Sequence, residues 1–78
     1  AATVAAAIMA MAAMRGEGRS FCPSEVARRL AADWRPLLPR IRATAAELVR
    51  AGRLEATQRG RAVDPLAARG PIRLERPG

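Results

Sequence analysis

Through the first fifty positions apolar residues return every three or four places; after Gly52 the interval shortens to two. Val4, Ile8 and Met11, with Ala1, Ala5, Ala7 and Ala12 around them, trace one face of a helix over about 2–14. Met14 extends that face, Met9 lies at its edge or outside it, and the methionines read as flexible filling for a small core. Arg15-Gly16-Glu17-Gly18-Arg19 breaks the period with two glycines and charge, which predicts a turn. A second helix follows over about 23–32. Cys22 is placed to cap it, with Pro23 at the first position and the Glu25 carboxylate in reach of an unpaired backbone N–H; Ser20 or Ser24 is the alternative cap. Val26 and Leu30, supported by Ala27 and Ala31, face inward, while Glu25, Arg28, Arg29 and Ala32 face out. Arg19-Ser20-Phe21 ahead of this helix reads as extended, with Phe21 in the core.

Pro36 restricts Arg35, and Trp34 is large enough to wedge the corner before a third helix over about 37–51. Leu38, Ile41, Ala45, Leu48 and Val49 form its apolar stripe; Arg40, Ala43, Glu47 and Arg50 lie on the other side. Pro39 fits the first turn and Gly52 the C-terminal cap. Beyond it, Leu54 and Ala56 alternate with Glu55 and Thr57, predicting a strand over about 53–59. A second strand over about 71–76 turns Ile72 and Leu74 inward, and the loop of about 60–70 between them is anchored by Val63 and Leu66. The expectation is one domain over 1–78, mainly α with a C-terminal β-hairpin: a winged helix-turn-helix of three helices plus a wing.

Composition narrows this picture. Half the residues are apolar, but many are alanine, and a chain of 78 residues buries only about 60% of its unfolded surface, so the core is small. The net charge is +7, and all 14 basic residues are arginine. That balance suits a polyanion, although uniform arginine beside abundant alanine also reads as a coding bias on a solvated surface. A single cysteine gives no intrachain disulfide and no cysteine-based zinc site, so a reducing, cytoplasmic compartment is expected. The uncharged run from Ala1 to Met14 is too short to span a bilayer and no basic segment precedes it, so it reads as a core helix with no membrane partner. Residue 1 is alanine, which leaves room for upstream sequence.

Arg15-Gly16, Phe21-Cys22-Pro23-Ser24-Glu25-Val26-Ala27-Arg28, Trp34-Arg35-Pro36-Leu37, Gly52-Arg53, Gly60-Arg61, Val63-Asp64-Pro65 and Ala68-Arg69-Gly70-Pro71-Ile72-Arg73-Leu74 together resemble the small bacterial domain-of-unknown-function family 3253. The resemblance covers nearly the whole chain. It implies a winged-helix-like domain in a bacterial protein and brings no activity, substrate or catalytic residue with it.

Catalysis is not expected. The chain has no histidine, and Asp33, Glu47, Glu55, Asp64 and Glu75 show no spacing that would gather a metal site or an acid/base pair. No cofactor and no small-molecule substrate is expected. Cys22 reads as a packing or capping thiol; its place at a helix N-terminus near Arg19 is the one feature that would favour ionisation. Two uses of the fold remain. In the first, the domain binds double-stranded DNA: Arg40, with Arg42 or Thr44, lies near base edges, Arg28 or Arg29 touches the backbone, and Arg59 and Arg61 of the hairpin touch phosphates or a minor groove. Arg35, Arg53 and Arg69 are then candidates for struts that hold the irregular loop. In the second, it is a protein-interaction, homodimerisation or accessory module that uses the alanine-rich first helix.

Overall fold

The computed structural model describes residues 2–78, so the place of Ala1 in the first stripe lies outside the described residues. Three α-helices come first: α1 (Ala2–Arg15), α2 (Pro23–Leu30) and α3 (Leu38–Arg50), with a single 3-10 turn over Arg35–Leu37 leading into α3. Strands β1 (Glu55–Gln58), β2 (Arg61–Ala62) and β3 (Arg73–Glu75) follow and form an antiparallel sheet in the order β2-β1-β3. This is the helix, helix, helix, sheet order of a winged helix.

Helix α3 sits at the centre, packed on both α1 and α2 and backed by β1. Ile41, Ala45 and Leu48 are buried as the periodicity predicts, but Thr44 and Ala46 are buried too, because α3 has neighbours on more than one side. Leu38 and Val49 lie at the rim of the core, half-buried. From the other elements Val4, Ile8, Met11, Ala12, Val26 and Ala27 complete the helical layer. Met9 sits at its edge, while Met14 points to solvent at 58% exposure rather than extending the buried face.

Both ends of α3 follow the local chemistry. Pro39 falls in the first turn, where N–H groups have no intrahelical acceptor to lose. At the other end Gly52 takes φ +76, letting its own N–H reach the Val49 carbonyl at 3.0 Å and that of Arg53 reach Leu48 at 2.9 Å. Those two bonds satisfy carbonyls that the helix leaves open, and a side chain at Gly52 would have to enter a left-handed conformation to keep them. Helix α2 stops at Leu30, two residues earlier than the sequence pattern predicts, because Ala31 turns extended (φ −157°, ψ 150°) and starts the connection that brings Trp34 back over the helix.

The extended stretch before α2 is present as a single antiparallel bridge. Phe21 N–H donates to the Leu74 carbonyl at 2.8 Å and Leu74 N–H to that of Phe21 at 2.7 Å, with both side chains fully buried. Leu74 also pairs with Ala56 across β1, so β3 is flanked on both sides at this position.

The C-terminal region departs from the predicted two-stranded hairpin. Gln58 pairs with Arg61, so β1 returns at once as β2 through a two-residue turn, Arg59-Gly60. Both turn residues have positive φ, 54° and 81°, the type I′ geometry that matches strand twist. Arg59 therefore stands in the turn rather than in the strand assigned to it. The loop that remains is shorter and is anchored differently. The Asp64 carboxylate accepts the Leu66 N–H at 2.9 Å, and the tight turn that results sends Leu66 outward, 55% exposed, while Pro65 is buried and Val63 and Ala68 pack on the core.

Candidate nucleic-acid interface

The seven arginine and threonine positions singled out by the sequence separate into two groups. Arg28 and Arg29 lie exposed in the last turn of α2, Arg40 exposed in the first turn of α3, and Arg59 and Arg61 exposed at the β1–β2 turn. Arg42 and Thr44 do not share that exposure. Thr44 is 7% exposed, inside the packing of α3. The Arg42 guanidinium is turned to the loop, donating to the Ala68 carbonyl at 2.8 Å and to the carbonyl of Gly70. On the N-terminal half of α3, Arg40 is thus the one of the three proposed readers that faces solvent.

Charge on this surface is weakly neutralised. Among the described residues there is one ion pair, Arg15 with Glu25, and it belongs to the base of α2. Glu25 is the third residue of that helix, and its other carboxylate oxygen accepts the Cys22 N–H at 2.9 Å. The hydrogen bond from Cys22, together with the Arg15 guanidinium, holds the Glu25 carboxyl below the usual glutamate range against the opposing effect of desolvation. Cys22 is the capping residue of α2, half-buried, with its sulfur 2.9 Å from the Ser24 hydroxyl. No acid interrupts α3 before Glu47, so the exposed start of the helix carries only positive charge.

Other arginines serve the frame. Arg73 donates to the Ser20 hydroxyl and to its carbonyl, each at 2.9 Å, and Arg15 donates to the same carbonyl at 3.1 Å, tying β3 and α1 to the strand-like link ahead of α2. Arg28 and Arg35 both lie over the Trp34 ring, 4.8 and 4.6 Å from its centroid. Trp34 itself is half-buried against the core, which fits the wedge role, and two cations against its π-system steady the corner between α2 and α3. The guanidinium of Arg35 is accounted for in this way, and that of Arg28 in part. Arg53 and Arg69, expected as struts, are both exposed. The sequence gives no sign that Arg42 would be tied down and Arg69 left free, because the partners of Arg42 are backbone carbonyls 26 and 28 positions away.

Clefts on the surface include two beside these elements. The larger, about 490 Å³, lies between the end of α3 and the sheet and is walled mainly by Val49, Leu54, Ala56, Ala62 and Val63. The smaller, about 260 Å³, lies beside Trp34 between the start of α2 and Pro71-Ile72. Neither gathers a group of three or more histidine, cysteine, aspartate or glutamate side chains able to hold a metal ion; no such group occurs among the described residues. No helix among them is long and apolar enough to cross a membrane.

No curated protein matches the chain. The sequence profile of a family described as "Protein of unknown function (DUF3253)" matches residues 1–77, and with the match running over nearly its whole length the chain belongs to that family.

Proposed function

We propose that this domain binds double-stranded DNA, with the start of α3 in the major groove and the basic β1–β2 turn on the flanking backbone. The reading is carried by one observation: Arg29, Arg40, Arg59 and Arg61 are exposed on α2, α3 and the wing, and none has a carboxylate partner among the described residues. Unpaired guanidinium groups match phosphate geometry and gain most of their binding energy from released counterions. In this arrangement Arg40 is the base-edge contact, Arg28 and Arg29 hold one strand, and Arg59 and Arg61 reach phosphates beyond the groove. The role is binding without catalysis.

Titration of a random-sequence duplex at two salt concentrations tests it. Affinity that falls steeply with salt supports the reading, and absence of binding at low salt sinks it. Given binding, Arg40→Ala should change the preference among sequences, whereas Arg59→Ala should weaken all duplexes alike.

A second reading has its own observation. The outward side of α1 exposes Thr3, Ala6, Ala10, Ala13 and Met14, an uncharged strip on a strongly basic domain. A protein-interaction or homodimerisation role would use that strip. Light scattering of the free protein gives a dimer mass if the strip pairs with a second copy and a monomer mass if it does not.

A further inference from the structure

The carbonyls of four successive residues, Ala68, Arg69, Gly70 and Pro71, are taken alternately by two side chains from different elements. Arg42 of α3 donates to those of Ala68 and Gly70, and the Gln58 amide, at the end of β1, donates to those of Arg69 and Pro71, the last at 3.1 Å. Surface loops ordinarily leave such carbonyls to water and keep their freedom. Here a guanidinium and an amide are committed to removing it. The grip is not explained by packing, since Arg69, Gly70 and Pro71 are all exposed and only Ala68 touches the core.

Within the gripped run one side chain has chemistry to offer. Arg69 is exposed and its guanidinium has no hydrogen-bond or ion-pair partner among the described residues, and the carbonyls on either side of it are tied to the same helix that carries Arg40. Fixing the backbone beneath a long side chain lowers the ordering cost that the side chain meets when it binds. No acidic residue lies between Pro65 and Leu74 to neutralise it.

Building on the duplex-binding reading above, we propose that Arg42 and Gln58 form a two-sided grip that holds residues 68–71 beside α3 so that Arg69 makes a fixed contact to a phosphate of the bound duplex. Arg42 is then a positioning residue, and Arg69 is a contact residue.

The test compares a random-sequence duplex bound to the wild-type protein, Arg69→Ala, Arg42→Lys and the double variant across a salt series, with thermal midpoints measured alongside. Arg69→Ala should weaken binding by about five- to tenfold at low salt and flatten the dependence of log affinity on log salt by about one unit, the signature of one lost phosphate contact. Arg42→Lys keeps the charge but replaces a planar fork by a flexible point charge, so it should weaken binding to a similar degree. The double variant should be no weaker than Arg69→Ala alone, because the two residues act as one unit. If Arg42→Lys does not fold, Gln58→Met, which frees the other two carbonyls from the strand side, carries the same expectation. Wild-type binding that Arg69→Ala leaves unchanged, or effects of the two substitutions that multiply, would overturn the phosphate assignment while leaving duplex binding intact. A wild-type protein that ignores the duplex at low salt overturns the wider reading as well.

Discussion

Between the helices the contacts are mainly apolar, with Ile8, Val26, Ile41 and Ala45 fully buried and the Arg15–Glu25 ion pair joining α1 to α2 at the margin. From Val63 to Arg73 the chain is held in large part by side-chain donors on backbone carbonyls, with Arg42 and Gln58 gripping residues 68–71 and Arg73 reaching Ser20. Pro65 and Ile72 are the buried residues that this stretch contributes. An alanine-rich core is too small to cover a long loop, and polar donors with long stems do the covering instead. The difference shows that the number of arginines in such a chain is not a measure of the charge available to a partner. Arg15, Arg42 and Arg73 serve the frame, while Arg29, Arg40, Arg59, Arg61 and Arg69 stand clear of it.

The sharpest way to break this contrast is Phe21→Ala, at the seam between the two regions. Phe21 is wholly buried and bridges to β3, so its truncation should cost about 3–5 kcal/mol and lower the urea midpoint for helix and sheet signals together. Separate transitions for the two signals would mean that the regions are stabilised independently.

A smaller and local effect is expected of Arg42→Met, which keeps the apolar stem and removes the donors. It should cost about 1 kcal/mol overall. Amide exchange over residues 64–71 should speed up by about tenfold while the amides of α1 stay as protected as before. Equal acceleration in both would place Arg42 in the general stability of the fold.

The smallest effect concerns acid. The folded state holds the Glu25 carboxyl below its ordinary range, chiefly through the Cys22 N–H and then through Arg15, so the unfolded chain takes up the proton first as pH falls. The stability that this group contributes is present at neutral pH and is lost as pH drops through the folded value. Glu25→Gln should be the less stable form at neutral pH, with the gap in melting temperature closing under acid. A gap that persists unchanged would assign the cap's contribution to hydrogen bonding alone.

How far all this was legible depends on whether a residue's role leaves a periodic trace. The stripe of Ile41, Ala45 and Leu48, the glycine at the end of α3 and the inward turn of Phe21, Ile72 and Leu74 are all set by burial and local backbone chemistry, and the pattern shows them. Strand β2 leaves no trace: its two residues, Arg61 and Ala62, are both exposed, and nothing alternates in a pair. Leu66 looked like an anchor because it is leucine, yet the Asp64 turn decides which way it points. The surroundings of Arg42 and Thr44, the two members of the candidate interface that are not exposed, leave no trace for a similar reason. Thr44, three residues after Ile41 and four before Leu48, lies beside the buried stripe and is drawn into the packing, and Arg42 is committed to carbonyls that any residue type would supply.

The pairing of Phe21 with Leu74 has a consequence for the order in which the chain can fold. Their neighbours Ser20 and Arg73 are joined across 53 positions, and closing so long a span costs entropy before it returns any contact. Helices α1, α2 and α3 draw on nearer contacts and can meet early, whereas the bridge must wait until β3 exists. During synthesis the helical part therefore emerges with one edge open at Phe21, and the fold is sealed only when Leu74 has left the ribosome.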